Sequence, residues 1–193
     1  MTGWSDLRGF HTDINETKGS LDAVFPSVNV IDVEGLVKSR FNKNLPSIAD
    51  CMFTLGKNTI YVEFKRMTSA RENKHEYAER LSSKAAGTSA IHHRFLKNLK
   101  DMRPRSEFWL VTDDSSWEML SILEKRSDSQ YCPSFLLKYR AVDKDGVAPF
   151  FDNVKHLSER QFMFWVQENA NKIVAPFGNG FPRGDGAEGR RSR

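Results

Sequence analysis

Residues 46 to 65 read Pro46-Ser-Ile-Ala-Asp50-Cys-Met-Phe-Thr-Leu55-Gly-Lys-Asn-Thr-Ile60-Tyr-Val-Glu-Phe-Lys65, two alternating runs on either side of a Gly-Lys-Asn turn. Side chains alternate along a strand, and directly opposed residues of a hairpin share a face. In the first run the apolar set is odd-numbered: Cys51, Phe53 and Leu55. In the second it is even-numbered: Ile60, Val62 and Phe64. Bringing both sets to one face requires paired residues whose numbers sum to an odd value, and a slip of one residue breaks the match. A turn at Gly56-Lys57 sets Asp50 opposite Glu63, whereas a turn at Lys57-Asn58 sets it opposite Lys65. Either turn sends Asp50, Glu63 and Lys65 to the other face, together with Met52 and Tyr61. The plain alternative is a solvated outer face carrying ordinary charges, but a mixture that includes Met52 and Tyr61 is unusual for one.

Working outward, residues 1–27 are polar with scattered Trp4, Leu7, Phe10, Leu21 and Phe25, and read as a short helical or irregular arm. Residues 29–43 read as a helix with Val30, Val33, Val37, Arg40 and Phe41 along one side. After the hairpin, residues 69–100 read as a long helix. Ser69 and Glu72 form a capping box at its start, and Tyr77, Leu81, Ala85, Thr88, Ile91, Phe95 and Leu99 make its apolar stripe. Gly87 inside it costs about 1 kcal/mol relative to alanine and admits a bend. Pro104 follows the end.

Residues 107–113 form a short apolar run suited to a buried strand. Ser115 with Glu118 then opens a capped helix ending near Arg126. Residues 135–142 read as a further strand stopped by Asp143-Lys-Asp-Gly146, and Ser158 with Gln161 caps a last helix carrying Phe162, Trp165 and Val166. From Gly178 the chain is a glycine-rich basic tail with Arg183, Arg190, Arg191 and Arg193. The expected organisation is therefore an arm over 1–27, an α/β domain over 28–177 with a central mixed sheet flanked by helices, and a tail over 178–193.

A chain of 193 residues with a formal net charge of +4 suits one domain with a full core and a mildly basic surface. Its two cysteines, Cys51 and Cys132, do not make a disulfide framework. Residues 1–8 show no basic segment leading into an apolar run, and nowhere do 18 apolar residues run together, so a cytoplasmic chain without a membrane segment is expected. No glycine-rich phosphate loop ending in Lys-Ser/Thr, no Gly-x-Ser-x-Gly and no paired Cys-x-x-Cys occurs, which disfavours an NTPase, a serine hydrolase and a cysteine-rich zinc site.

An aspartate on one strand facing an acid-x-lysine on the next resembles the signature of the PD-(D/E)xK nuclease superfamily. Acid-x-lysine occurs at Glu16-Thr17-Lys18, Glu63-Phe64-Lys65 and Glu72-Asn73-Lys74, but only the middle one lies in an alternating strand behind a facing aspartate. The departure is that proline stands at Pro46 and not beside Asp50. The order of helix, hairpin, long helix, strand, helix and strand extends the likeness over roughly residues 28–143. The resemblance implies a Mg2+- or Mn2+-dependent nuclease cutting nucleic acid, DNA favoured over RNA, with a homodimer as an assembly the family often uses.

Phosphodiester hydrolysis needs a nucleophile and relief of negative charge, which a hard divalent cation supplies. Such an ion keeps several waters, so few protein ligands suffice. Asp50 and Glu63 are assigned as its carboxylate ligands and the Phe64 carbonyl as a third. Lys65, as in the superfamily, would orient the attacking water and stabilise developing charge. Lys84 falls inside the apolar stripe of the long helix, where a lysine either snorkels or serves a site, and the superfamily often presents a polar residue there. Glu34 is placed where the superfamily often has a glutamate on the metal, with Glu16 as its competitor. His92-His93 point about 100 degrees apart on a helix and make a poor metal pair. Asp113-Asp114 could line a cleft or enter a turn. Arg94, Lys97, Lys100, Arg103 and Arg105 could grip a phosphate backbone or be a solvated helix face. The rival functions are an impaired relative of the same fold that binds nucleic acid or protein, and an unrelated α/β interaction protein.

Overall fold

The computed structural model describes residues 7–41, 46–66, 74–97, 99, 102–103, 105–125 and 151–176. The Ser69–Glu72 cap, the strand expected over 135–142 with its stop, Lys100 and the basic tail lie outside these residues. The described chain is an α/β structure built on a mixed sheet of six strands whose spatial order follows the chain. In that order they are β1 (His11–Asp13), β2 (Asn29–Asp32), β3 (Cys51–Leu55), β4 (Asn58–Lys65), β5 (Arg105–Thr112) and β6 (Asn153–Ser158). The first four are antiparallel neighbours, and β4, β5 and β6 run parallel. Parallel neighbours need crossovers, and helices α3 (Lys74–Ile91) and α4 (Asp114–Lys125) lie in those two connections. The short α1 (Ile14–Thr17), α2 (Val33–Arg40) and α5 (Glu159–Asn169) are the other α-helices of the described residues.

The hairpin closes at Gly56-Lys57. Cys51 pairs with Val62 and Leu55 with Asn58, and Gly56 takes a φ of +57°, a conformation glycine adopts without a Cβ penalty. This register is that of the Gly56-Lys57 turn; the ladder ends at Cys51 and Val62, and Asp50 joins it by donating its N–H to Val62 O at 3.0 Å. Cys51, Phe53, Ile60, Val62 and Phe64 are buried on one face, in a core with Ile14, Phe25, Trp109, Phe162 and Val166. Trp109 and Trp165 pack edge to face at 4.5 Å between centroids, and Phe25 meets Phe162 the same way at 5.2 Å. Met52 and Tyr61 lie on the opposite face, fully buried in a second core with Val33, Leu36, Leu81, Ala85, Phe108 and Leu110. The sheet is thus covered on both sides, and the hairpin's polar residues stand at the end of a packed face.

Three expectations are corrected. Residues 29–43 are not one helix: the β-branched alternation of Asn29–Asp32 forms β2, and the Asp32 carboxylate caps α2 by accepting from Gly35 N–H at 2.8 Å. Val30 and Val33, read as one side of a helix, accordingly enter opposite cores. Residues 7–27 do not stand apart as an arm, because they carry an edge strand and four buried apolar residues, Leu7, Ile14, Leu21 and Phe25. Finally, Asp113 caps α4 in place of Ser115, accepting from Ser116 N–H at 3.0 Å. Strand β6 over Asn153–Ser158 was not anticipated: it has only Val154 and Leu157 as clear apolar residues, and its pairing with β5 supplies the rest. The capping box of Ser158 and Gln161 at the start of α5 is as read. Among the described residues, no helix is long and apolar enough to cross a membrane.

Candidate active site

Asp50 stands one residue before β3, where the ladder with β4 runs out. Its N–H donates to Val62 O at 3.0 Å, and its carbonyl accepts from Val33 N–H at 3.1 Å, tying the hairpin to the start of α2. The next β4 amide facing it, Phe64 N–H, has no β3 carbonyl to meet, and the Asp50 carboxylate accepts it at 2.7 Å. The side chain therefore replaces a rung of the ladder and is fixed by it. Glu63, 2 % exposed, projects to the same face, where both carboxylates meet the Lys84 ammonium.

Helix α3 delivers Lys84 to both. Its ammonium donates to the Glu63 carboxylate at 2.6 Å and to Asp50 Oδ1 at 3.4 Å. The helix comes this close because Gly87 has no side chain: a Cβ there would lie 2.0 Å from the Ser47 carbonyl oxygen. One residue on, the Thr88 hydroxyl accepts from Ala49 N–H at 2.8 Å while donating to Lys84 O at 2.7 Å. A single helical turn thus holds both Lys84 and the segment leading into Asp50. The glycine read as a weak point in a helix is the contact that lets the helix approach the strand.

Charge and burial set the protonation of this trio. Burial pushes the Glu63 carboxyl up to about 8, the neighbouring Asp50 charge adds to the rise, and Lys84 only partly offsets them. Asp50 is also raised, by burial first, against Lys84 and the Phe64 amide, which lower it. Burial alone would lower the Lys84 ammonium, but Glu63 and Asp50 together outweigh that and hold it protonated. Two carboxylates beside one ammonium leave one negative charge in excess, and the two carboxyls titrate as a coupled pair in which burial weighs most on Glu63.

The trio forms one wall of a cleft of about 300 Å³ whose lining also includes Lys65, Arg66, Arg80, Ser20 and Ser47. Arg66 pairs with Asp22 at 2.9 Å, and Arg80 lies one turn before Lys84 on α3. Neither arginine was singled out from the sequence. The legible signal was spacing, since Arg80 and Lys84 stand four residues apart on one helix face and Arg66 directly follows the strand carrying Lys65. Lys65 lies at the end of β4, half-buried, as the hairpin alternation requires.

The remaining candidates fall elsewhere or at the margin. Glu34 is exposed on α2 and paired with Lys38 at 2.5 Å. It lines one adjoining cavity with Lys84 and another with Asp50 and Glu16, so both glutamates border the site without meeting the trio. The Phe64 ring is buried in the first core, and its backbone N–H reaches the site by donating to the Asp50 carboxylate. His92 is buried, with Nδ1 2.8 Å from Tyr61 Oη, and burial lowers its pKa to about 4, while His93 is exposed. Their rings lie edge to face at 5.1 Å between centroids, with His92 Nδ1 engaged by Tyr61. Asp113 is occupied as a helix cap, and Asp114 pairs with Arg160 at 3.4 Å. Arg94 is exposed and stacks over Phe95, and Lys97, Arg103 and Arg105 are exposed. Among the described residues, no group of three His, Cys, Asp or Glu side chains could hold a metal ion. No protein-family model, curated protein or solved structure matches this chain.

Proposed function

We propose that this protein is a divalent-metal-dependent nuclease that hydrolyses phosphodiester bonds in nucleic acid, DNA before RNA. The observation that carries the reading is the convergence of Asp50 and Glu63 on one cation within a cleft bordered by Lys65, Arg66 and Arg80. The donor set fits a hard cation. Two carboxylate groups already share a positive charge, and an ion of the magnesium type completes its shell with water. Asp50 and Glu63 would hold it, and no further protein ligand is required. When bound, it supplies a lowered pKa for coordinated water and charge relief at the phosphate.

The chain's own residues do the rest. The Phe64 amide fixes the Asp50 carboxylate, so that oxygen does not reorient as charge changes nearby. Lys65 and Lys84 place ammonium groups on the same cleft, where they stabilise negative charge developing on phosphate oxygens. Arg66 and Arg80 draw a polyanion to the rim. The test is cleavage of linear and circular DNA by purified protein with Mg2+ or Mn2+. Asp50→Asn and Lys65→Met are each expected to lower the rate by about a hundredfold or more while retaining the parent's melting curve. Equal cleavage by parent and both variants would trace the activity to a contaminant and defeat the reading.

A second reading, an impaired relative that binds nucleic acid without cutting it, is favoured by one observation. Lys84 already satisfies both carboxylates, and no third acidic or histidine ligand joins them among the described residues. Metal-independent DNA binding without cleavage would select it.

A further inference from the structure

We infer that Lys84 is the resident counter-ion of the Asp50–Glu63 pair, so that a divalent cation and a phosphate group bind this cleft cooperatively. The inference rests on the metal-dependent reading above and concerns how the site is loaded.

The Lys84 ammonium is within 2.6 Å of the Glu63 carboxylate and 3.4 Å of Asp50 Oδ1, so a single cation is shared by the two groups that would hold the metal. A divalent ion between the same carboxylates would face a positive charge at contact range in a largely buried site, where water screens poorly. The ammonium must therefore leave as the ion arrives. Retreat of the helix would break the hydrogen bond from Ala49 N–H to the Thr88 hydroxyl and open the Gly87–Ser47 contact. What remains is rotation of the four-carbon stem.

That rotation has room. Lys84 borders the cleft lined by Lys65, Arg66 and Arg80. An ammonium swung into that cleft meets further cations and is poorly placed there alone. A phosphate in the cleft reverses this by giving the displaced ammonium an anionic partner. Metal without phosphate leaves Lys84 uncompensated, and phosphate without metal leaves Lys84 on the carboxylates. Each ligand accordingly favours the arrangement that the other needs, and by linkage the enhancement is equal in both directions.

The experiment measures Mn2+ affinity by paramagnetic resonance of the free ion, with and without thymidine 5′-monophosphate, which offers a phosphate but no phosphodiester to cut. Mn2+ binding to the nucleotide alone is measured separately and subtracted. For the parent, the nucleotide should tighten Mn2+ binding by about 5-fold or more, the lower range of typical coupling between sites. Lys84→Met, which keeps the apolar stem, should bind Mn2+ alone about tenfold more tightly than the parent and gain little from the nucleotide. Lys84→Gln is a second variant should the methionine not fold, and the parent titrations need no variant at all. Parent binding that is indifferent to the nucleotide, or variants no tighter than the parent, would overturn the inference and leave the metal reading standing. Absence of Mn2+ binding by every protein, with and without nucleotide, would remove the metal reading itself.

Discussion

Glu63 shows how one buried carboxyl links the site to the stability of the fold. Its carboxyl is raised from the ordinary 4.5 to about 8, chiefly by burial. The unfolded chain releases this proton near the ordinary value and the folded chain retains it longer. Between the two, the folded state binds more protons, and stability falls as pH rises. The contribution is fully present below the unfolded value and is lost as pH passes about 8. Glu63→Gln lacks it. Without metal, the melting temperature of Glu63→Gln relative to the parent should climb from about pH 4.5 and level off above about pH 8. A difference that is flat across that range would show that Glu63 does not titrate as described. At this scale much of the site was legible. Asp50, Glu63 and Lys65 are placed together by the period of a strand, and Lys84 stood out as a charge within an apolar helical stripe. Glu34 was not decidable, because a glutamate on a short surface helix looks alike whether it borders a site or pairs with Lys38.

The element that organises the site is the middle of α3. Alanine normally improves on glycine inside a helix by about 1 kcal/mol. At Gly87 the added Cβ would meet the Ser47 carbonyl oxygen at 2.0 Å, a backbone atom that cannot rotate away. Gly87→Ala is therefore expected to destabilise by about 1–3 kcal/mol, the usual cost of overpacking, measured by urea unfolding. It should also loosen the grip of Lys84 on the carboxylates. A stabilised Gly87→Ala variant would show that the helix and the Ser47 segment are not in contact. Thr88→Val tests the same suture by leaving Ala49 N–H without its hydroxyl partner, at a cost of about 1–3 kcal/mol. The sequence yielded the helix and its inward stripe, but not this contact. Spacing reports which residues share a face and says nothing of what stands opposite them. The same limit explains β2, where a four-residue strand running directly into a helix gives too few residues for either period to declare itself.

The whole molecule is held by segments distant in sequence. Strand β1 pairs with β2, and Leu7, Ile14, Leu21 and Phe25 fill both cores from the amino-terminal part of the chain. At the other end, Val174 bridges Thr54 on β3, with N–H to carbonyl distances of 2.8 and 3.0 Å, and His11 Nε2 lies 3.2 Å from Pro176 O. A fragment beginning at residue 28 should therefore fail to fold cooperatively, since it loses an edge strand and four buried apolar side chains, each contributing roughly 1.5–3 kcal/mol. Circular dichroism and a urea titration of the fragment would check this. A fragment melting like the full chain would restore residues 1–27 as a separate arm.

The amino-acid sequence determined the hairpin, its facing and its register class, because a period of two admits no compromise between a buried and a polar set. It also determined the long helix, the buried strand after it and the last capped helix, whose patterns are long or well punctuated. The tertiary structure decided what local pattern leaves open. It chose the Gly56-Lys57 turn over its neighbour, recruited residues 7–28 into both cores, brought Lys84 to the carboxylates and set Arg66 and Arg80 along the same cleft. Those outcomes depend on which surfaces meet across the sheet, and contacts between residues tens of positions apart leave no periodic trace in the chain.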